Sequence, residues 1–376
     1  MVINKPAWKG IRPKPRPFDR RVPVELSEWL FKVLRTHYLP GLRGLYVCRG
    51  LQPSDGRRPF GHYYIKVKTG KGAGELYARV ARPYPAKERR LLPQITHLLS
   101  GNGCNVQSWL GRVSSVSPVF IDSRSFAEPV QFTVSDFRKV SGLPPTPEWL
   151  KKAGSAVGRM HNVLSKASFS KEVRLVSEKR TGLFKTAKAE IKKNSISLFG
   201  NIWPAGYGGL MERLISGYSP DFMIADGLRK QVIHGDLNAG NLLAEDGKRV
   251  FITDFEDTTH SYYPCLVDIA FFTERFICFD NPAADFLKRR IRAFFSGYLT
   301  EARTPFSAKA AAPGAQLSEI LKQINYYAVC ALTKICLRDT GYPVASELNK
   351  FIALEKQALY YAPIMGRFGP GVFCGR

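Results

Sequence analysis

The sequence has no long apolar run. Nowhere in its 376 residues is there a stretch of the roughly 18–20 uninterrupted apolar residues that a membrane-spanning helix needs. The strongest candidate, residues 265–279, is interrupted by Asp268, Glu274 and Arg275. The N-terminal region carries charge but lacks the apolar core of a secretory signal. We therefore expect no membrane span and no secretion, and a cytoplasmic protein is the default expectation.

Paired cysteines are also missing. The seven cysteines are odd in number, lie scattered along the chain and include no C-x-x-C pair. Structural zinc sites need closely spaced ligands, and disulfide frameworks need an even set of cysteines. The sequence therefore indicates neither, and we expect the cysteines to be small buried side chains or inert surface thiols. We also find no internal repeat.

Acidic residues are scarce. Lys and Arg number 56 against 31 Asp and Glu, which gives a formal net charge of +25. The excess is concentrated in the basic N-terminal stretch and in residues 171–194, where eight basic residues face three Glu. Nucleic acid, an anionic membrane surface, an anionic substrate or a merely solvated face could each account for it. Because aromatic-rich basic strands and known RNA-binding modules are missing, the charge leaves a nucleic-acid partner open without favouring it.

Strand patterns dominate the first part of the chain. Apolar and polar residues alternate over residues 63–68 and again over 75–82, with the glycine-rich turn 70–74 between them. A period of two is typical of half-buried strands, and a short turn between them favours an antiparallel sheet. A helix with a buried stripe is expected from residue 85 to Gly101.

Helical patterns dominate the rest. Prolines at 144, 145 and 147 separate the two regions, and a stripe with helical spacing follows from Trp149 to Leu164. We therefore expect an α+β protein of two lobes. In this interpretation residues 1–22 are a basic, proline-rich arm, residues 23–140 are the antiparallel-sheet N-terminal lobe, and residues 141–376 are the mainly helical C-terminal lobe.

The segment with the clearest chemistry spans residues 232–257 and reads VIHGDLNAGNLLAEDGKRVFITDFED. Short apolar runs on either side of an Asp-Gly turn predict a tight hairpin. A polar loop containing Asp236 and Asn241 precedes the first strand of this hairpin, and Asp254 follows the second. Because a hairpin folds its start next to its end, we expect these three side chains to lie close together.

Two carboxylates and an amide oxygen form a donor set for a hard cation. Mg²⁺ takes few protein oxygens and completes its octahedron with phosphates and water. Phosphoryl transfer uses such ions to neutralise phosphate charge, beside a carboxylate that accepts or orients the proton of the attacking hydroxyl. The spacing from Asp236 to Asn241, with Asp254-Phe255 beyond, matches the catalytic loop and metal-binding Asp-Phe of protein kinases. A turn-forming role for Asp236 is the alternative.

The same segment resembles a family signature. His234–Asn241 (HGDLNAGN), followed by Ile252–Glu256 (ITDFE), is similar to the motif of the aminoglycoside phosphotransferase/choline kinase superfamily. The resemblance implies a small-molecule kinase with a bilobal protein-kinase-like fold that uses ATP and Mg²⁺. It also implies that Asp236 is the catalytic residue and that Asn241 and Asp254 hold the metal.

The resemblance extends over residues 60–275. Leu76–Arg79 resembles the family's third strand, whose basic residue reaches the nucleotide phosphates, and Glu88 matches the acid that pairs with that residue. The resemblance therefore implies that Arg79 and Glu88 bind the nucleotide. Arg82 competes with Arg79 for this role, but it points to the opposite face of a strand, so only one of them can serve.

Other polar residues are expected to support the loop rather than to react. Asp268, in the sequence VDIA, resembles the family's D-[LI]-A element and is expected to orient the loop. His161, in a helix that resembles the family's Leu-His element, is expected to be a hydrogen-bonded core histidine, and His234 is expected to hold the loop. Glu256 and Asp257 could bind metal or acceptor, or could only cap the next turn.

Two features depart from the family pattern. Many members have His at the position of Asn238. No clear glycine-rich phosphate loop is visible either. Gly56–Gly61 (GRRPFG) is one candidate and Gly70–Gly74 is the other, so the assignment of this loop stays open.

These patterns predict an ATP-dependent phosphotransferase that moves the γ-phosphoryl group directly, in line, to a hydroxyl group of a small molecule. A protein kinase is the first alternative, but only 14 positions separate Asp254 from Asp268 and no A-P-E follows, which is too short for an activation segment. A non-catalytic kinase-like protein that binds nucleotide or nucleic acid is the second. Such a scaffold has no physical need for Asp236, Asn241 and Asp254 together.

The basic segment 171–194 bears on the acceptor. In the resembling family, helices after the lobe boundary shape the acceptor site, and a site for polycationic aminoglycosides should be lined with acids. Because this region is basic, we expect a neutral or anionic hydroxyl compound. Trp203, Tyr207 and Tyr218 could instead form aromatic walls for a choline-like cation, and the lysines could simply face water.

Overall fold

The computed structural model describes residues 20–21, 24–50, 61–70, 72–81, 86–110, 114–116, 120–121, 124–125, 130–193, 228–307, 312–338 and 344–374. The chain divides into two units. The N-terminal unit comprises Ile11–Ser141 and Glu245–Glu256, and the C-terminal unit comprises Gly142–Ala244 and Asp257–Arg376. Several expectations fall outside the described residues, namely those for residues 1–19, for Arg82 and for Trp203, Tyr207 and Tyr218.

An antiparallel sheet is the framework of the N-terminal unit. Its strands are β1 (Arg20–Arg21), β2 (Leu42–Gly50), β3 (Gly61–Thr69), β4 (Gly72–Ala81), β5 (Ser114–Val116) and β8 (Val130–Asp136). Between β5 and β8 in the sequence, the short strands β6 (Phe120–Ile121) and β7 (Arg124–Ser125) form a separate pair. Neighbouring strands follow the order β1-β2-β3-β4-β8-β5. Each neighbouring pair is antiparallel, as the turn-linked alternation predicted.

One face of this sheet forms the core of the unit. The buried residues alternate along the two central strands: Tyr63, Ile65 and Val67 on β3, and Leu76, Ala78 and Val80 on β4. Helix α1 (Val24–His37) joins the same core through Leu30 and Leu34, which are fully buried. Helix α2 (Ala86–Gly101) ends at the predicted glycine and buries Leu92 and Ile95. Hydrophobic burial therefore fixes the face of β4 from which Arg79 projects.

The C-terminal unit is mainly helical. Its helices are α3 (Pro147–Leu164), α4 (Ser170–Lys193), α5 (Cys265–Phe272), α6 (Ala284–Glu301), α7 (Pro313–Arg338) and α8 (Val344–Gly366). The remaining strands of the described chain are β9 (Val140–Gly142), β10 (Lys230–Val232), β11 (Leu242–Glu245), β12 (Arg249–Ile252) and β13 (Tyr262–Pro264). Of these, β10 and β13 pair antiparallel within the unit.

Two helices of this unit touch backbone to backbone. A Cβ atom on Gly154 of α3 would lie 1.9 Å from the carbonyl oxygen of Phe294 on α6. In the reverse direction, a Cβ on Gly297 of α6 would lie 1.9 Å from the carbonyl oxygen of Lys151 on α3. Only glycine permits so close an approach. The contact fixes α3, which carries His161, against α6, which carries Tyr298.

The arrangement confirms the predicted α+β class. Strands build the framework of the N-terminal unit and helices that of the C-terminal unit. Over the ranges that the structure describes, we find no helix both long and apolar enough to cross a lipid bilayer. Cys104, Cys265 and Cys278 are buried, as small apolar side chains are expected to be.

Candidate active site

Asp268 anchors the polar loop 234–241 through hydrogen bonds to the loop's backbone. One carboxylate oxygen of Asp268 accepts a hydrogen bond from the backbone N–H of His234 and the other from that of Gly235, both at 2.8 Å. Asp268 is fully buried in α5. A buried carboxylate is stable only when its oxygens are satisfied, and here backbone donors satisfy them. The prediction that Asp268 orients the loop is confirmed.

Glycine is required at position 235 for two reasons. Its φ angle is +88°, a conformation that side chains with a Cβ rarely adopt. A Cβ placed there would also lie 2.2 Å from Oγ of Ser261. The loop therefore turns tightly enough for two successive backbone N–H groups to reach one carboxylate.

His161 is a satisfied core histidine, as predicted. Its Nε2 lies 2.9 Å from Asp268 Oδ2 and its Nδ1 lies 3.0 Å from the hydroxyl of Tyr298. Burial acts to lower the pKa of His161, but Cys265 and Asp268 outweigh it and raise that pKa to about 10. The imidazolium thus balances the charge of Asp268 inside the protein. His161 supports the loop through Asp268 and makes no contact of its own with Asp236.

His234 holds the loop from within, also as predicted. It is fully buried. Its Nδ1 accepts a hydrogen bond from the N–H of Asp236 at 3.3 Å, and its carbonyl accepts one from the hydroxyl of Thr258 at 3.0 Å. These contacts fix the backbone at the position from which the side chain of Asp236 projects.

The structure brings Asp236 and Asn241 together. The Nδ2 group of Asn241 donates to the carbonyl oxygen of Asp236 at 2.8 Å, and the asparagine is buried. Because a carbonyl can only accept, the amide nitrogen must face Asp236, and the Oδ1 atom is the one left to act as a ligand. Such an amide oxygen is the kind of donor that Mg²⁺ takes.

Asn238, the departure from the family pattern, has a defined role in this loop. Its Nδ2 donates to Asp236 Oδ2 at 2.8 Å, while its Oδ1 accepts from the N–H of Gly240 at 2.7 Å. The side chain closes the turn and orients one carboxylate oxygen of Asp236 at the same time. Asparagine at this position is therefore consistent with an ordered loop.

Arg275 is a site residue that the sequence did not predict. Its Nη1 lies 3.1 Å from Asp236 Oδ1, and its guanidinium lies 4.6 Å from the ring centre of Phe271. Asp236 is thus held at both carboxylate oxygens, by an amide on one and a guanidinium on the other. Its side chain is nevertheless 33% exposed, so it is both oriented and accessible.

A second ionic cluster lies in the C-terminal unit and centres on Asp257. Asp257 lies 2.7 Å from Nε2 of His260 and 3.7 Å from Nη1 of Arg180 on α4. Burial opposes ionisation of Asp257, but His260 and Arg180 outweigh that effect and hold its pKa below the ordinary value. The sequence left the role of Asp257 open, and here it ties the basic helix α4 to the turn 257–260.

In the N-terminal unit, Asp254 follows the end of β12 in an uncommon backbone conformation. Its φ angle is +65°, which Asp tolerates better than most residues. The strand end is held by residues after α2: Ile252 exchanges backbone hydrogen bonds with Asn105 and Gln107, each at 3.0 Å. The hydroxyl of Thr253 donates to Oε1 of Gln107. The backbone that leads into Asp254 is therefore held at Ile252 and Thr253.

The structure also brings Arg79 and Asp254 together. Nη1 of Arg79 is paired with the carboxylate of Glu256 and lies 3.6 Å from Oδ1 of Asp254. Glu88 lies on α2, but its side chain is outside the described residues, so its pairing with Arg79 stays a prediction. Glu256, whose role the sequence left open, is the acid observed beside Arg79.

The neighbour of Arg79 across the strands is uncharged. His62 on β3 is in register with Arg79 on β4, and its Nδ1 is paired with the hydroxyl of Tyr77. Burial, together with the charge of Arg79, lowers the pKa of His62 to about 4. The histidine is therefore neutral at pH 7 and adds no positive charge beside the arginine.

Only one of the two candidate phosphate loops can be followed. Residues 56–60 of the GRRPFG candidate lie outside the described residues. In the other candidate, Thr69 pairs with Gly72 across the turn between β3 and β4, and Gly72 has a φ angle of +128°. It is a tight hairpin turn that requires glycine.

The donor chemistry of the predicted metal ligands fits a hard cation. Asn241 offers an amide oxygen and Asp254 a carboxylate that is 43% exposed. Within the described ranges we find no group of three or more His, Cys, Asp or Glu side chains that could hold a metal ion by itself. An amide oxygen and a carboxylate oxygen are each the kind of donor that Mg²⁺ takes.

Comparison with known families places the chain. The phosphotransferase enzyme family (APH) matches residues 65–305, which is more than half of the sequence. The chain belongs to this family. The match spans β4 with Arg79, the loop with Asp236 and Asn241, and the segment with Asp254. No curated protein sequence gives a match.

Solved kinase structures share the fold. The amicoumacin kinase hAmiN, in complex with AMP-PNP, Ca²⁺ and Ami, is 15% identical, with a TM-score of 0.54 over 90% of this chain and 94% of that one. A choline kinase from Cryptosporidium parvum Iowa II is 13% identical, with a TM-score of 0.52 over 91% and 98%. An ethanolamine kinase from Plasmodium vivax is 11% identical, with a TM-score of 0.51 over 90% and 88%. At such identities the likeness establishes the fold, and it confirms the predicted kinase-like class.

Proposed function

We propose that this chain transfers the γ-phosphoryl group of ATP to a hydroxyl group of a small molecule, in a direct, in-line, Mg²⁺-dependent step. The observation that carries the proposal is that the side chain of Asp236 is both oriented and accessible. Its carboxylate is fixed by Asn238 and Arg275 and yet remains one-third exposed. A structural carboxylate would be expected to bury its oxygens as Asp268 does.

Asp236 acts on the acceptor. It accepts the proton of the attacking hydroxyl, or orients that hydroxyl towards phosphorus, which is the role that a positioned carboxylate has in phosphoryl transfer. Arg275 and Asn238 limit the rotation of the carboxylate, so little orientational freedom remains to be lost in the transition state. Because no nucleophilic side chain is needed, the transfer forms no covalent enzyme intermediate.

Asn241 and Asp254 hold Mg²⁺, and Arg79 contacts the nucleotide phosphates with Glu88 as its predicted partner. The metal, when bound, neutralises charge on the transferring phosphoryl group. The complex of hAmiN with AMP-PNP and Ca²⁺ supports a nucleotide and a divalent cation as co-substrate and cofactor in this fold. Since ATP is a cytoplasmic metabolite, we place the reaction in the cytoplasm.

The acceptor is neutral or anionic. Helix α4 carries eight basic residues against three acidic ones between positions 171 and 193. Its Arg180 reaches Asp257 in the C-terminal unit, so this helix is tied to the segment that follows Asp254 in the chain. Basic side chains complement a phosphorylated or carboxylated hydroxyl compound better than a polycation.

A comparison of two aspartates tests the metal assignment. Asp254 and Asp246 both have positive φ angles, of 65° and 52°, and asparagine tolerates this conformation at either position. Asp254→Asn should lose the Mg²⁺-dependent protection by ATP against thermal unfolding, whereas Asp246→Asn should keep it. Protection that survives in the Asp254 variant would place the metal site elsewhere.

A further inference from the structure

Helix α5 does not end in an ordinary way. It passes directly into a π-turn at Thr273–Ile277, in which the N–H of Cys278 donates to the carbonyl of Thr273 at 2.9 Å. Such wide turns are rare and are found mostly inside α-helices at functional sites. Because the turn holds more residues than an α-helical turn, it changes the direction in which the residues after α5 project.

Two side chains from the C-terminal helices hold the π-turn. Gln357 on α8 is buried, and its Nε2 donates to the carbonyl of Cys278 at 2.6 Å and to that of Glu274 at 3.2 Å. Asn325 on α7 is fully buried and donates to Oε1 of Glu274 at 2.6 Å. The wider turn leaves backbone carbonyls without their α-helical donors, and Gln357 supplies the missing donor.

Arg275 lies inside this turn. Its guanidinium packs over Phe271 and reaches Asp236 at 3.1 Å. The backbone carbonyl just before it belongs to Glu274, the residue that both Gln357 and Asn325 contact. The direction of the Arg275 side chain therefore depends on the conformation that these two donors stabilise.

We propose that Gln357 is a positioning residue for Asp236: helix α8 fixes the π-turn, the π-turn aims Arg275, and Arg275 orients the carboxylate. This rests on the proposed function, in which Asp236 acts on the acceptor hydroxyl. The side-chain amide of Gln357 donates to the carbonyls of the π-turn, so its effect on Asp236 is indirect. The C-terminal helices thus contribute to catalysis through a chain of four contacts in one unit.

The structural link can be measured without any turnover. The side-chain Nε–H signal of Arg275, assigned by its loss in Arg275→Lys, reports whether the guanidinium is held. Gln357→Met keeps the side-chain length and removes the donor, and it should shift this NMR signal. Tyr361→Phe is the matched control, since it removes another buried hydrogen bond of α8, from the Tyr361 hydroxyl to the carbonyl of Pro282. An unchanged Arg275 signal in Gln357→Met would overturn the proposal.

The catalytic consequence is measured as kcat and KM for Mg·ATP consumption, with water as the acceptor. Gln357→Met should lower kcat about tenfold and leave the KM for ATP unchanged, because small misplacements of a catalytic group are costly. Adding Gln357→Met to Arg275→Ala should cause no further loss, since the two act through one path. Multiplying losses in the double variant, or an unchanged kcat, would overturn the proposal.

Asn325→Leu gives an independent check from α7. It removes the second donor to the turn and should shift the Arg275 signal and lower kcat in the same direction as Gln357→Met. An unchanged signal in this variant would also count against the proposal. If the unmodified chain consumed no ATP either with water or with any sugar, phosphorylated metabolite or hydroxy acid, the proposed function would fail, while the Arg275 signal would still decide whether Gln357 positions Arg275.

Discussion

Arg79 and Glu256 form an ion pair in the N-terminal unit, although they lie 177 positions apart in the sequence. Glu256 is two residues beyond Asp254. The same guanidinium lies 3.6 Å from Asp254. A proposed phosphate-binding cation and a proposed metal ligand are thus held side by side. Glu256 fixes the direction of Arg79, because each side chain is only 22% exposed and the arginine has little room to turn.

Loss of the Glu256 charge should weaken nucleotide binding. Glu256→Gln is expected to raise the Kd for Mg·ATP about tenfold, since a charge-assisted contact that fixes Arg79 is removed. Titration calorimetry with Mg·ATP measures this directly. Glu75→Gln is the control: Glu75 lies on β4, as Arg79 does, but it contacts Tyr64 and Lys66, so the Kd should be unchanged. Tighter binding in Glu256→Gln would mean that Glu256 competes with the phosphates.

Removing the Asp268 carboxylate should destabilise the C-terminal unit. Asp268→Ala leaves Nε2 of His161 and two backbone N–H groups without their acceptor inside the protein. Breaking a buried pair in this way costs about 3–5 kcal/mol. Urea denaturation gives the loss, with the exposed Asp285→Ala as the control. A loss below about 0.5 kcal/mol, the size expected of a surface change, would contradict the anchoring role.

Glu274 should make stability depend on pH. Burial raises its pKa to about 8, with Glu355 acting in the same direction and Arg275 and Asn325 against it. The folded chain therefore holds a proton that the unfolded chain releases near the ordinary value of 4.5. Stability from this group is complete below that value and is lost as pH rises towards 8.

The comparison of two variants isolates this effect. Between pH 5 and 8 the melting temperature of the unmodified chain should fall relative to that of Glu274→Gln, which has no proton to lose. The pKa of His161 is raised from 6.5 to about 10, so its contribution to stability falls above pH 6.5. This loss is the same in the unmodified protein and in the variant, and it cancels in the difference between them. The exposed Glu319→Gln is the control. A difference in melting temperature that does not vary with pH would contradict the assigned titration.

The charge preference for the acceptor can be tested by comparing how different alcohols stimulate ATP consumption. We expect ATP consumption to be stimulated by sugars, phosphorylated metabolites or hydroxy acids more than by kanamycin-type polycations, because α4 is basic. Coupled ADP detection with a matched panel of these alcohols measures the preference. Efficient phosphorylation of the polycations alone would reject the acceptor class and leave the kinase proposal intact.

Much of the fold could be predicted because it depends on local burial. The period-two alternation of β3 and β4 and the helical stripe of α2 match their buried faces in the structure. Three supporting residues, Asp268, His161 and His234, could be predicted as well. A carboxylate in an apolar helix, such as Asp268, needs donors, and the adjoining loop provides them.

The contacts that the sequence did not reveal join residues far apart in the chain. Arg275 follows an apolar run and looks like the charge that ends a helix, and only the π-turn directs it to Asp236. The pairing of Arg79 with Glu256 likewise joins β4 to a segment 177 positions away. Spacing within one motif cannot predict either contact, because each depends on how separate elements pack.

The role of Asp236 is the central claim, and Asp236→Asn tests it most directly. The substitution keeps the shape of the side chain and removes the proton acceptor. Thermal protection by Mg·ATP should be retained, while kcat, measured with the best alcohol of the panel, should fall about 10²–10⁴-fold. Near-normal turnover by a folded, nucleotide-binding Asp236→Asn chain would contradict the account.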